Sequence, residues 1–102
     1  MIREQISEYN PEAILFDDLD DAVIGVGQQH GSQTVAVYDK EKCIDIFYYN
    51  FMESKREQLG RKLTSEERID TYTEAEEWFG FNVACVYVGE NTPIFVERFE
   101  DA

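Results

Sequence analysis

The sequence predicts an α+β fold, a small three-stranded antiparallel sheet packed on one face by two main helices in two layers. Three observations predict it. Apolar residues recur at helical spacing in two long stretches, two runs rich in β-branched residues flank a polar loop, and a further apolar run follows Pro93. Two layers bury one stripe of each helix and one face of the sheet. A chain of 102 residues suits a single globular domain, 1–102, with one modest core.

Arg3 to Asn10 reads as a short helix with Ile2, Ile6 and Tyr9 on one side. Asn10-Pro11 ends it, because a residue before proline is pushed out of the α region. Ala13-Ile-Leu-Phe16 is an apolar anchor for this segment. Asp17-Asp-Leu-Asp-Asp21 then sets four acids around one leucine. Several carboxylates suit a hard cation, but the calcium-loop glycine and distal glutamate are missing, so a solvated or partner-facing acidic turn is expected and no metal.

Ala22-Val-Ile-Gly-Val-Gly27 and Thr34-Val-Ala-Val-Tyr38 predict strands over 22–28 and 34–38, joined as an antiparallel hairpin. Gly25 and Gly27 begin a dinucleotide fingerprint, but His30 stands where its third glycine belongs and no helix follows. Their expected role is a flat strand surface approached closely by a helix. His30, the only histidine, has no ligand or nucleophile pattern around it and reads as exposed and inert.

Asp39 caps a predicted helix over 40–59 whose buried face is Cys43, Ile44, Phe47, Tyr48, Phe51 and Met52, with Gly60 as its stop. Lys55, Arg56, Arg61 and Lys62 gather near its C-terminal end, where the helix dipole favours cations. Thr64 and Glu67 form a capping box for a short peripheral helix through about Tyr72. Thr73 and Glu76 form another, opening a central helix over 74–88 with Ala75, Trp78, Phe79, Asn82, Val83, Val86 and Tyr87 on one face and Gly89 as its cap. Val83 to Val88 also has strong β propensity, so the local preferences conflict there. Ile94 to Phe99 reads as the third strand, with Pro93 at its permitted first position. The acidic residues 100–102 read as a frayed tail.

Charge excludes more than it assigns. The net charge is −13, and its distribution is uneven. Residues 1–38 hold one base against seven acids, residues 39–64 six against five, and residues 65–102 two against ten. Such a field repels nucleic acid and membranes and favours basic partners. No apolar run approaches the roughly 20 residues that span a bilayer, and the first residues lack an apolar signal core. Cys43 and Cys85 lie in apolar helical patterns and are expected to be buried, reduced thiols. A cytoplasmic protein is the simplest expectation.

Asp20-Asp-Ala-Val-Ile-Gly-Val26, Val35-Ala-Val-Tyr-Asp39, Lys42-Cys-Ile44, Glu74-Ala-Glu-Glu-Trp-Phe79, Phe81-Asn-Val83 and Gly89-Glu-Asn-Thr-Pro93 form a pattern of order and spacing. It resembles a group of small uncharacterised bacteriophage and bacterial proteins over roughly residues 20–95. Residues 53–72 look longer here than in that group. The resemblance implies a phage-borne accessory protein acting in a host cytoplasm and carries no catalytic residues.

No catalytic motif emerges, so the expected function is non-catalytic and cofactor-free. The acidic surface is expected to occupy a basic, nucleic-acid-binding site on a larger host protein, as an inhibitor or anti-defence factor. Asp17, Asp18, Asp20, Asp21, Glu66, Glu67, Asp70, Glu74 and Glu77 are its expected contacts. Two alternatives stand beside it. One is a homo-oligomeric structural or adaptor protein, a homodimer for instance. The other is a ligand-binding domain or enzyme with a pocket between sheet and central helix, involving Tyr38, Asp39 and Asn82.

Overall fold

A computed structural model of the chain describes residues 1–99. The element order is α1 (Ile2–Tyr9), a 3-10 turn (Asp20–Ala22), β1 (Val23–Gly27), β2 (Val35–Asp39), α2 (Lys40–Leu59), α3 (Ser65–Phe79), a π-helical turn (Gly80–Ala84) and β3 (Ile94–Val96). The fold is α+β, as the sequence predicts. The described residues group into two compact units, one of 1–42 with 86–99 and one of 43–85.

The first unit holds the sheet, in the order β1-β2-β3. β1 and β2 form the expected antiparallel hairpin, with Val23 opposite Tyr38 and Gly27 opposite Val35. A bulge between Val23 and Gly25 leaves Ile24 exposed. The hairpin loop turns at Gly31, whose φ of 80° is left-handed, and Ser32 N–H donates to Gln29 O. Gly27 sits where an added Cβ would lie 3.0 Å from Val37 Cγ2. The close neighbour is therefore a strand side chain and not the helix that the sequence suggested.

β3 corrects the expected topology. It pairs with β2 in parallel, Tyr38 beside Phe95, so the sheet is mixed and not antiparallel. Parallel strands cannot be joined by a tight turn, and the chain between these two includes α2 and α3. The strand is also shorter than expected, ending at Val96 instead of Phe99. Phe16, Tyr38 and Phe95 form an aromatic cluster with ring centroids 5.4–6.0 Å apart.

Asn10 is extended (φ −158°, ψ 100°), as its proline neighbour requires, and it is buried. Its Nδ2 donates to Thr34 O and to Asn91 Oδ1, both at 2.8 Å, while its Oδ1 accepts from Glu12 N–H. One amide thus joins the end of α1, the hairpin and the turn before β3.

In the second unit, α2 ends at Leu59, as predicted, and Gly60 closes it with φ 70° and an N–H donated to Arg56 O. Phe51 meets Trp78 edge-on at 6.0 Å and Tyr48 meets Tyr72 at 5.4 Å. The Thr64/Glu67 capping box opens α3 as expected. The predicted break at 72–74 does not occur. No proline or glycine interrupts 65–79, and the Thr73 hydroxyl donates to Ile69 O inside one continuous helix. The expected central helix over 74–88 is therefore the end of α3 plus the π turn, and residues beyond Ala84 are neither helix nor strand until Ile94. Both local preferences for 83–88 lose there.

Burial on α3 follows i, i+4 steps, Thr71, Ala75, Phe79 and then Val83. Trp78 is half exposed, and Val86 and Tyr87 lie past the helix. Asn82, expected on the buried face, is exposed and donates to Trp78 O. Cys43 is buried and Cys85 is exposed, so only one of the two expected buried thiols is buried. No helix among the described residues is long and apolar enough to cross a membrane.

Candidate partner-binding surface

The acidic turn is built on a single buried leucine. Leu19 is 1% exposed, while Asp17, Asp18 and Asp21 project into solvent. Asp18 takes φ 67°, a left-handed conformation that a short polar side chain tolerates. Arg3 reaches across from α1, its Nε 2.8 Å from Asp20 Oδ2 and its Nη2 3.6 Å from Asp17. The hydrogen bond with Asp20 raises the Arg3 pKa above its ordinary value. Arg3 therefore answers two of the four acids, and Asp18 and Asp21 have no ion pair among the described residues. Among the described residues, no three His, Cys, Asp or Glu side chains gather as a metal site would need.

The second acidic surface is the outer face of α3. At 3.6 residues per turn, Glu66, Asp70 and Glu77 fall in one line opposite the buried Thr71–Ala75–Phe79 line, with Glu74 alongside. That line extends over about 16 Å of helix. Glu74 is paired with Lys55 at 2.8 Å, and the same Lys55 Nζ donates to the Thr71 hydroxyl.

Glu67, also expected as a contact, is committed to local structure. Arg61 holds it bidentately at 2.8 and 3.1 Å, and the Thr64 N–H donates to it at 2.8 Å. The Arg61 hydrogen bond, followed by that of Thr64, brings its pKa down to about 2. Its place at N3 of the capping box removes it from the free face.

The expected pocket residues are occupied otherwise. Tyr38 is fully buried, and its hydroxyl accepts the Phe16 N–H at 2.9 Å. Asp39 caps α2 through Lys42 N–H and accepts from Arg98 Nη2 at 2.6 Å and Nε at 2.9 Å. Burial pushes the Asp39 pKa up, and the Arg98 and α2 N–H hydrogen bonds outweigh it, leaving the carboxyl below its ordinary value. Both side chains serve the fold.

Two of the larger concavities have no counterpart among the sites that the sequence suggests. In the first unit, Gln29, Ser32, Gln33, Tyr87, Glu90 and Ile94 help line an open cleft of about 530 Å³. In the second, Tyr49, Met52, Arg56, Lys62, Leu63 and Arg68 help line a groove of about 540 Å³. The density of cations between Lys55 and Arg68 is the sequence signal for the second. No protein-family model, curated protein or solved structure matches the chain.

Proposed function

We propose that this chain is a non-catalytic acidic protein that binds a basic, nucleic-acid-binding surface of a larger protein and blocks it. The observation that carries this reading is the α3 face, where Glu66, Asp70 and Glu77 stand in line with no cation paired to them among the described residues. A row of fixed carboxylates on a rigid helix offers a basic groove the charge it would otherwise find in phosphates. The Asp17–Asp21 turn supplies a second patch of the same sign. The resemblance to phage proteins supports an inhibitor working in a host cytoplasm, a host defence enzyme being one target of the right chemistry.

The test is capture of a host protein at low salt, release at high salt, and displacement by duplex DNA, since long-range attraction is screened by added ions. The Glu66→Lys/Asp70→Lys/Glu77→Lys variant should lose capture while keeping its fold. Capture that persists in that variant would sink the reading.

Self-association is a second reading, favoured by Phe81, 77% exposed, and Trp78, 48% exposed, one helical turn apart. Solution mass by light scattering decides it, with a monomer that is unchanged by Phe81→Ser counting against it.

A further inference from the structure

The groove of the second unit is a cationic hollow in a strongly acidic molecule. Tyr49, Met52, Glu53 and Arg56 project from one face of α2, spaced i, i+3, i+4 and i+7. Lys62 and Leu63 come from the connection to α3, and Arg68 from its first turn. The charges are not equally available. Glu53 engages Arg56 at 2.8 Å, Lys55 is paired with Glu74, and Arg61 is paired with Glu67. Arg68 has only a long 3.4 Å contact with the Ser65 hydroxyl, and Lys62 has no carboxylate in ion-pair range among the described residues. The groove therefore presents two uncompensated cations.

Its remaining lining is apolar. Leu63 is buried, Met52 is half-buried, and Tyr49 is 65% exposed. The Tyr49 ring lies tilted against Tyr48 with centroids 5.3 Å apart, and most of the residue faces solvent. Volumes near 540 Å³ fall within the range of small-ligand sites.

We propose that this groove binds a nucleoside monophosphate, with the phosphate between Lys62 and Arg68 and the base against Tyr49 and Met52. A phosphate monoester carries nearly two negative charges at neutral pH and matches the two free cations. Arg68 offers a planar fork and Lys62 a mobile point charge, both suited to phosphate oxygens. An aromatic ring and a thioether give a flat base the apolar contact it needs. A nucleic-acid strand does not fit the same argument. Each further nucleotide adds a charge that no further unpaired cation of the groove meets among the described residues, against a net charge of −13. This inference is independent of the acidic-surface reading, because it uses none of the α3 carboxylates.

The experiment is a titration of the full chain with AMP followed by amide NMR shifts, with adenosine and inorganic phosphate as separate arms. Saturable shifts confined to about residues 49–56 and 61–68 are expected with AMP, and much weaker ones with either half alone. Lys62→Ala and Arg68→Ala should each weaken binding about tenfold, the loss of one charge-assisted hydrogen bond, and Tyr49→Ser should weaken it too. Absence of saturable shifts with AMP would overturn the proposal. So would equal shifts with inorganic phosphate, or undiminished affinity in the Lys62→Ala/Arg68→Ala variant.

Discussion

Asn10 and Asn91 are joined by a hydrogen bond of 2.8 Å between their side chains, across 81 positions of sequence. The same Asn10 amide also meets Thr34 O, so three distant segments share one buried group. Removing a partner from buried polar groups costs the desolvation of those left behind. Asn10→Ala should therefore lower stability by about 2 kcal/mol, read as a lower urea midpoint. Asn10→Asp keeps the acceptor for Glu12 N–H but aims a carboxylate at two acceptor oxygens. It should destabilise at least as much as alanine, and a milder effect would show that the donor side of this amide carries little.

Acid should weaken the fold through Glu67 and Asp39. Both have folded-state pKa values below their ordinary ones, Glu67 at about 2. A depressed carboxylate contributes stability that is fully present above its unfolded pKa and is lost as pH falls through the folded value. Stability should thus fall progressively from about pH 4.5 toward pH 2. In Glu67→Gln part of that slope should vanish, while stability at neutral pH drops. A slope identical to wild type in both Glu67→Gln and Asp39→Asn would show that other groups control acid unfolding.

The capping box gives a cleaner local test. Thr64 accepts the Glu67 N–H at 3.1 Å and Glu67 accepts the Thr64 N–H in return. Thr64→Ala should cost about 1 kcal/mol, and Thr64→Ser should restore most of it. The same changes at Thr73 should be nearly silent at neutral pH, because Thr73 lies inside α3 and is exposed. Thermal melts of the four variants check both halves.

The contrast between those two threonines shows how far the sequence could be read. Thr64-Glu67 and Thr73-Glu76 have the same pattern, and only the first caps a helix. Once the chain is helical at 65, nothing before Gly80 costs enough to stop it, so the second pattern is bypassed. The hairpin and the limits of α2 were legible because their turn and stop residues act locally. The parallel pairing of β3 was not, since strand direction depends on where the chain returns and not on Ile94 to Val96 themselves. The acidic residues could be named from composition. Which of them stay free depended on Arg3, Lys55 and Arg61, whose partners lie 6 to 19 positions away.

Gly27 and Gly25 should separate under substitution. A Cβ at Gly27 meets Val37 Cγ2 at 3.0 Å, while one at Gly25 meets nothing within 4 Å. Gly25→Ala should be neutral or slightly stabilising, as a less flexible unfolded chain predicts. Gly27→Val should cost about 1–3 kcal/mol through overpacking, with amide shifts spreading to Val37 and Ile94. Equal tolerance at both sites would mean that Val37 moves aside freely.

The α3 face sets stability against binding. Glu66 and Asp70, and Asp70 and Glu74, are like charges at i, i+4, each pair unfavourable by about 0.2–0.5 kcal/mol. Asp70→Lys turns both pairs attractive, so the fold should gain about 0.8–2 kcal/mol while affinity for a basic partner falls. The gain should shrink as salt is added, because exposed pairs are screened. If the acids serve only solubility, Asp70→Lys should raise the melting temperature and leave partner capture at low salt unchanged. Higher stability with lost capture is the expected pair of results, and it separates a binding role for these acids from a solubilising one.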